Sequence, residues 1–522
     1  MKRNLLFIIA LFACTLSFGQ GEIDAYRYSN NDLSGTARGQ AMGGAFGALG
    51  GDVTGVAINP AGIGVYRSSE ILANMSLSSQ LTGGSSYQES NTNFHFDNLS
   101  YVGYYPLVKG GMLTLNFGFN YNRIKSFDQQ YSASSSSMNS SLTRYMAQLT
   151  NGIDHGVWTG NTDDYYSNSN IPWLSALAWD GYLINEGSGT DNYQSLLNDG
   201  EKVSPSLNFR EKGKVESYDF TIGSNISDKF FWGATFSITN LSYSLSSSYS
   251  ELFQQGGSFD LGNYLETHGS GYQAKFGVIY KPVDALRLGV SYHTPVWYSM
   301  TDYYQGWIDP YGIVANDGSS AGSTSTPNSS INYYFRTPGS WTFSAAAVLG
   351  AQAILSVDYE MKDYSMMNLK DGDGYNLKEV NGYINTDYKN ASTLRAGFEY
   401  RFTPQFSGRI GYAWMQNPYQ QSKISNVFDG DPNAYNVSDI MVTSGTIPHY
   451  TVSGDVNYYT AGVGFRFTPQ FYCDFALVLS TQNNNLYYFT PKIAEGQTMY
   501  DSFAGTSKDK TLKGLLTFGY RF

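Results

Sequence analysis

Two short motifs in this sequence carry residue types found in hydrolase active sites. Residues 318–322 read Gly-Ser-Ser-Ala-Gly, the G-x-S-x-G pattern of serine hydrolases, but they lie in a polar loop with neither a strand before nor a helix after. His268 and Ser270 are two residues apart on a predicted strand, so they share a face and could act as base and nucleophile. That face also carries Tyr272 and Phe276, which favours a polar rim at a strand end. We therefore predict that the protein is not an enzyme.

Two acidic loops and five histidines carry side chains that could bind a metal ion or heme. Asp371 and Asp373, like Asp429 and Asp431, resemble fragments of calcium loops, but Tyr375 breaks the EF-hand spacing and favours ordinary turns. No two histidines share a strand or a heme motif; they stand at positions 95, 155, 268, 293 and 449. The sequence therefore predicts no cofactor and no metal centre, and leaves calcium in the external loops as an open alternative.

The composition points to an exported β protein. Of 522 residues, only 14% are charged while 16% are aromatic, led by 44 Tyr. Lys2 and Arg3 precede the apolar stretch 5–13 and small residues at 17–19, which predicts a signal peptide over residues 1–19. Its removal takes two positive charges from a net charge of -11, leaving -13, which argues against binding nucleic acid. After removal of Cys14, Cys473 is the only remaining thiol, so no internal disulfide can form.

The mature chain alternates apolar and polar residues with the period of a β-strand. Over residues 393–402, Leu394, Ala396 and Phe398 share one face, while Arg395 and Gly397 share the other. The hairpin turn that follows, Arg-Phe-Thr-Pro-Gln-Phe, occurs a second time further along the chain. About fourteen such segments begin near residues 69, 94, 111, 213, 229, 267, 285, 330, 351, 388, 406, 452, 471 and 507.

These segments predict an all-β fold, a transmembrane antiparallel barrel of about fourteen strands. The segments run about 10 to 16 residues, longer than strands of a sandwich or propeller, which is the alternative fold. Short turns alternate with long polar connections, as in outer-membrane barrels. The chain ends on a strand closing in Phe522, which resembles the signal read by the barrel assembly machinery. We expect a bacterial cell outer membrane location of Gram-negative type, with membrane lipid as a partner.

Residues 20–67 precede the first strand and are not strand-like. Small residues dominate 38–46, as packing inside a lumen requires, and Asn59-Pro60 should end a short helix in a defined turn. The sequence therefore predicts an N-terminal plug, or hatch, over 20–67, inside a barrel formed by residues 68–522.

Together, these features resemble the FadL/TodX family of outer-membrane transporters for hydrophobic compounds. The resemblance rests on the Gly-rich stretch 38–46 followed by Asn-Pro-Ala at 59–61. Short sequence motifs on predicted strands, at residues 280–282, 286–295 and 335–338, support it. It implies passive uptake of long-chain fatty acids or aromatic hydrocarbons through a hatch-plugged barrel, with release sideways through the wall. It also implies hatch roles for six residues: Asn59, Pro60 and Ala61 in gating, and Gly43, Gly44 and Phe46 in packing.

Some features go beyond the resemblance. We place the side exit at Gly118, where a glycine in the third strand weakens the ladder. An external loop over about 125–212 contains several Trp and Leu residues and is predicted to be partly helical. A salt-bridged, solvated lumen is predicted from charged residues of inward parity: Asp358, Glu360, Arg395, Glu399, Arg401, Arg409 and Arg466.

Three alternative functions stay open at this point. A non-transporting structural or adhesive barrel would use the Tyr- and Ser-rich loops as its binding surface. A barrel phospholipase would use His268 and Ser270, although Gly271 stands where that family has Asn. A hemin-binding receptor is the third alternative.

Overall fold

The computed structural model forms a closed antiparallel barrel of fourteen strands, as predicted. It describes residues 21–522 apart from 85–86, 108–110, 160–164, 169, 199, 315–317, 351, 421–440, 442, 444 and 495–496. The predicted signal peptide lies outside the described residues.

The barrel strands are numbered in chain order, and three of them consist of two collinear parts. They are β1 Glu70–Gly84, β2 Tyr87–Pro106, β3 Met112–Ser126, β4 Val203–Ile226, β5 Phe230–Phe253, β6 Ser258–Val283, β7 Leu286–His293 with Trp297–Tyr311, β8 Ser329–Arg336 with Ser340–Leu349, β9 Ala353–Asp363 with Asn368–Asp371, β10 Asn390–Arg401, β11 Phe406–Met415, β12 Tyr450–Arg466, β13 Phe471–Tyr487 and β14 Phe503–Arg521.

The ring closes between the first and the last strand. β1 pairs with β14 from Glu70 opposite Arg521 to Gly83 opposite Lys508. An unpaired backbone group in hydrocarbon costs several kcal/mol, so closure removes the two edges that an open sheet would expose.

The face polarity of the long strands inverts part of the way along them. In the lower part of β4, Phe220 and Ile222 point outward and are about half exposed, while the inward Asp219 is buried. Further up the same strand, Asn208 points outward and Phe209 is buried inside. The inversion marks the point where the outer surface changes from apolar to polar, and we place the upper edge of the membrane there.

This inversion explains where the predicted strands were too short. On the tight-turn side the predicted starts agree with the structure to within about two residues, as at Met112, Phe230 and Phe406. On the loop side, β4 begins at Val203 instead of 213, and β6 at Ser258 instead of 267. The strands continue above the membrane, where apolar residues face inward.

The region above the membrane is closed by an ordered cap. Its helices are α4 Leu142–Thr150 and α5 Trp173–Asp180, with a 3₁₀ helix at His155–Thr159, so the connection between β3 and β4 is partly helical, as predicted. Trp158 stacks on Trp179 with ring centroids 5.4 Å apart, and both pack in a large aromatic core shared with the upper strands.

The other helices lie at the N-terminus, between the two parts of β9, and between β9 and β10. They are α1 Glu22–Ser29, α2 Ala37–Ala41, α3 Val53–Ile58, α6 Lys378–Asp387, and the 3₁₀ helices Pro60–Val65 and Tyr364–Met366. In the described parts of the chain, none of the helices has the length and hydropathy needed to cross a membrane.

The polarity inversion makes a prediction about single charges on the outer face. Ile222→Arg places a charge in the apolar band and should destabilise the barrel by about 2–4 kcal/mol. Ser248→Arg, on the polar upper part of neighbouring β5, should change stability by less than about 0.5 kcal/mol. Urea unfolding of both variants in lipid vesicles measures the difference, and equal losses would place the membrane edge elsewhere.

Candidate functional site

The N-terminal segment, residues 21–66, lies against inward-facing side chains of the barrel wall, and Asn59 is central to its attachment. The Asn59 Oδ1 accepts a hydrogen bond from the Ala61 N–H (3.1 Å), which caps the 3₁₀ helix that begins with Pro60. Its Nδ2 donates to the carbonyl oxygens of Gly47 (2.8 Å) and Val278 (3.2 Å). One side chain therefore fixes the turn internally and joins it to β6.

The wall beneath this turn is made of glycines. A Cβ at Gly277 would lie 1.9 Å from the Asn59 Oδ1, and one at Gly233 would lie 2.2 Å from the Pro60 carbonyl oxygen. A Cβ at Gly289 would lie 2.7 Å from the Gly47 carbonyl oxygen. The segment therefore touches the backbone of the strands, with its own backbone at Gly233 and Gly289 and with the Asn59 side chain at Gly277. Three adjacent strands carry glycine where any side chain would displace the segment.

A second glycine contact lies across the lumen. Cβ atoms at Gly397 and Gly411 would lie 2.4 Å from the Met42 carbonyl oxygen and 2.2 Å from the Gly43 nitrogen. Gly43 has φ +63°, and its own Cβ would meet the Tyr412 carbonyl oxygen at 2.7 Å. Gly43 is thus required both by its backbone conformation and by its contact with β11. Gly44 has φ +76°.

Polar wall side chains bind the backbone of the segment. The Asp358 Oδ2 accepts hydrogen bonds from the N–H groups of Phe46 and Gly47, each at 2.9 Å. Phe46 itself is fully buried. On the other side of the lumen, the Asn116 amide donates to the Ile63 carbonyl oxygen at 2.6 Å. These bonds attach backbone groups of the segment directly to the wall.

An ion network joins the segment to three strands. Arg38 makes a bidentate pair with Glu399 at 2.8 and 3.0 Å. The Glu399 carboxylate also accepts from Arg409 (2.6 Å), which reaches Asp474 at 2.6 Å. Arg395 pairs with Glu360, so the predicted salt-bridged lumen is present for these residues. Arg401 and Arg466 are exposed at the tight-turn rim, because their strands end there.

Gly118, the predicted side exit, lies in a continuous ladder. It pairs with Val102 of β2 and with Thr221 of β4. A Cβ at Gly118 would lie 2.9 Å from the Ile63 Cδ1, so this glycine makes room for the N-terminal segment. The exit role of Gly118 stays a prediction.

The regular ladder is interrupted instead across β7, β8 and β9. Residues 294–296, 337–339 and 364–367 separate the two parts of these strands, and we call this region the wall break. Pro295 and Pro338 have no N–H to donate there. Three adjacent strands are therefore irregular at one height, although main-chain bonds still run from the Thr294 N–H to the Ala274 carbonyl oxygen (3.0 Å) and from the Thr337 N–H to the Val296 carbonyl oxygen (3.1 Å).

Side chains close the wall break. The Thr294 Oγ1 accepts from the Ala274 N–H at 3.1 Å, and the Thr337 Oγ1 accepts from the Val296 N–H at 2.9 Å. Just inside the break, His293 and Ser291 contact the Ile58 carbonyl oxygen, at 2.9 and 2.8 Å. The end of α3 is thus bound to the strand that breaks.

Cavities of about 330 and 180 Å³ lie inside the barrel. Residues 30–34 line both cavities and form the partition between them. The larger cavity combines apolar groups such as Phe127 and Phe209 with cationic ones such as Arg123 and Lys513. The smaller cavity reaches the wall break, since its lining includes His293, Val296, Thr337, Pro338 and Tyr364.

The hydrolase-like motifs do not form a site in this structure. The Ser270 hydroxyl donates to the Asn240 Oδ1 (3.1 Å), while the His268 Nε2 contacts the Glu266 carboxylate (2.9 Å).

Of the two candidate calcium loops, the one at Asp371 is an ordinary turn, because its carboxylate accepts from the N–H groups of residues 373 and 375. Asp429 and Asp431 lie outside the described residues, and the motif at 318–322 lies in an external loop.

Sequence reasoning missed the glycine contacts and the wall break, although both left traces. Gly397 and Gly411 appear at inward parity in the alternation, but parity alone does not say what touches them. The wall break is marked by two Thr-Pro pairs, Thr294-Pro295 and Thr337-Pro338, inside strand patterns. Proline within a strand pattern is the signal that could have located it.

The fold is similar to solved structures of transport channels. A FadL homologue from Pseudomonas aeruginosa is 13% identical, with 94% of this chain and 99% of that chain covered and a TM-score of 0.52. The CymD monoaromatic hydrocarbon channel (12%, 94% and 98%, 0.46) and the P. putida toluene transporter TodX (12%, 94% and 99%, 0.45) score lower. No protein-family model and no curated protein matches the chain. The first similarity shows that the chain has the FadL fold.

The glycine contacts predict how the N-terminal segment can be loosened. Gly277→Val should push Asn59 away from β6 and raise the mobility of the segment, because the new side chain occupies the place of the Asn59 amide. The measurement is the spectrum of a spin label at position 48 in the full chain. Gly514→Val is the control, since a Cβ there meets only a Leu477 carbon at 3.9 Å. Equal spectra for the two variants would contradict the prediction.

Proposed function

We propose that this barrel, with its FadL fold, is an outer-membrane protein for passive uptake of hydrophobic small molecules. In this proposal the N-terminal segment acts as a hatch, and the molecule leaves sideways into the lipid. The location follows from the apolar band on the outer face of a closed barrel and from the asymmetry between tight turns and long loops.

The observation that carries the proposal is the wall break beside an internal cavity. Main-chain hydrogen bonds hold a barrel wall shut, and across residues 294–296 and 337–339 part of that ladder is replaced by bonds to the Thr294 and Thr337 hydroxyls. Separating side-chain hydrogen bonds costs less than opening a full ladder between two strands. We therefore place the side exit at the wall break, which replaces Gly118 in this role.

The route has three stages. A ligand enters the larger cavity below the cap, passes the partition at residues 30–34, and reaches the smaller cavity behind the break. Exit into lipid is favourable, because each CH₂ moved from water to an apolar medium gains about 0.8 kcal/mol. No coupling to an energy source is needed for movement in this direction.

Hatch movement and exit are linked through Ile58. Its carbonyl oxygen contacts His293 and Ser291, and the next residue, Asn59, is bound to β6. A shift of residues 58–60 would release the strand on the inner side of the break. Asn59, Pro60 and Ala61 are thus proposed to gate the exit, while Gly43, Gly44 and Phe46 keep the rest of the hatch in place.

The lining of the larger cavity favours an amphipathic ligand. Its volume of about 330 Å³ suits a small ligand or part of a long one. Arg123 and Lys513 share the Asp97 carboxylate at 2.6 and 3.5 Å, and carboxylates such as Asp32 and Asp509 also line the cavity, so a bare hydrocarbon would leave several charged groups less solvated. We infer that a molecule with an apolar chain and a polar end, such as a fatty acid, fits better than an aromatic hydrocarbon.

A reversible crosslink tests where the molecule leaves. Val296→Cys with Thr337→Cys places two thiols across the wall break, where the Thr337 N–H donates to the Val296 carbonyl oxygen and the two residues are therefore close. Oxidation should lower uptake of labelled long-chain fatty acid about tenfold, and reduction should restore it. Uptake is measured in cells that carry the chain as their only such barrel.

A second cysteine pair provides the control. Phe117→Cys with Ile222→Cys crosslinks β3 to β4 beside Gly118, on the lipid-facing side. If oxidation lowers uptake with this pair and not with the first, the exit lies at Gly118. Uptake unaffected by either crosslink would remove sideways release. Native uptake no higher than in cells lacking the protein would favour the structural or adhesive barrel.

A further inference from the structure

Two rows of cationic side chains lie on the outer face of the barrel, directly above the apolar band. On β14, Lys510 and Lys508 are exposed and follow outward-facing Leu512, which is half exposed. On β4, four residues above the last aromatic side chain, the outward positions are Lys214, Lys212 and Arg210. Successive outward side chains on a strand are about 6.6 Å apart, so each row extends away from the hydrocarbon.

The surface between the rows carries hydroxyl groups. Three strands separate β14 from β4, an arc of about 19 Å at about 4.8 Å per strand. Ser79 of β1 and Thr92 of β2 are exposed within the arc. On the far side of β4, Ser244 and Ser246 of β5 stand opposite Lys212 and Arg210. We call this surface the cationic arc.

The charges of the arc are largely unneutralised. Lys214 pairs with Glu216 at 2.7 Å. Among the residues that the structure describes, no ion pair is seen for Arg210, Lys212, Lys508 or Lys510. The chain as a whole is acidic, with a net charge of -11, so these cations are not part of a generally basic surface.

Charge changes sign at the border of the arc. On β6, the outward-facing Glu266 is level with Lys212, with Ser244 of β5 between them, and the outward-facing Asp260 lies further up the strand. The cations therefore occupy one sector of the circumference, directly above the apolar band. A membrane-facing cationic sector with hydroxyl groups is complementary to phosphate groups on lipid headgroups.

We propose that the cationic arc binds the phosphate groups of a phosphorylated glycolipid in the outer leaflet of the membrane. Lys508, Lys510, Arg210 and Lys212 supply the charge, and the serine and threonine hydroxyls donate further hydrogen bonds. The acyl chains of the glycolipid lie against the apolar band below. This inference rests on the proposed outer-membrane location but not on transport.

Binding of lipid A to the purified full chain tests the inference by native mass spectrometry. The probes are bis-phosphorylated lipid A and its dephosphorylated form. The native chain should retain the phosphorylated lipid at least tenfold better than the dephosphorylated one. This comparison uses the native sequence alone. Lys508→Gln with Lys510→Gln, and Arg210→Gln with Lys212→Gln, should each weaken binding about thirtyfold, since each variant removes two basic residues and each basic residue near a charged lipid surface contributes about 1 kcal/mol.

Lys370→Gln with Lys378→Gln is the matched control, because both lysines are exposed in another sector of the barrel. It should bind lipid A as the native chain does. Equal binding of the two lipids, or equal losses in the arc and control variants, would overturn the proposal. Fatty-acid uptake is measured on the same variants, so a failure of transport is recognised separately from a failure of glycolipid binding.

Discussion

Backbone hydrogen bonding inside a lipid environment is the constraint on which the whole structure depends. Every N–H and C=O group in the wall needs a partner, and closure of β1 on β14 supplies it around the ring. The same constraint applies where the ladder fails. At residues 294–296 and 337–339, Thr294 and Thr337 hydroxyls accept from main-chain donors that have lost a strand partner. The wall break is thus a place where the barrel stays satisfied with fewer ladder bonds.

The lumen meets the same requirement from the inside. The N-terminal segment has short helices and many turns, so its backbone groups need partners from the wall. Asp358 and Asn116 provide them, and wall glycines such as Gly233 let the two backbones approach closely. Polar side chains and glycines inside the barrel therefore serve one purpose, which is to hold irregular backbone in a site closed to bulk solvent.

Much of the fold could be predicted from the sequence, because lipid imposes a strict alternation on each strand. The turn at residues 403–405 and the start of β11 at Phe406 follow directly from it. Strand ends above the membrane were missed at Val203 and Ser258, since the faces exchange polarity there and the lipid-facing pattern stops. The site was less predictable. Glycine gives no hydropathy signal, so the role of Gly277 and Gly289 could not be predicted. It is visible only in the structure, where Asn59 and Gly47 pack against them.

Closure by the first and last strands also constrains the order of assembly. Glu70 and Arg521 are partners near opposite ends of the chain, so the ring stays open until the final strand has arrived. The N-terminal segment lies within that ring, attached to strands as distant in sequence as β3 and β12. Its contact with Thr460 of β12 can form only after most of the wall strands are in place, so the filling of the interior and the joining of β14 to β1 both belong to the late part of assembly.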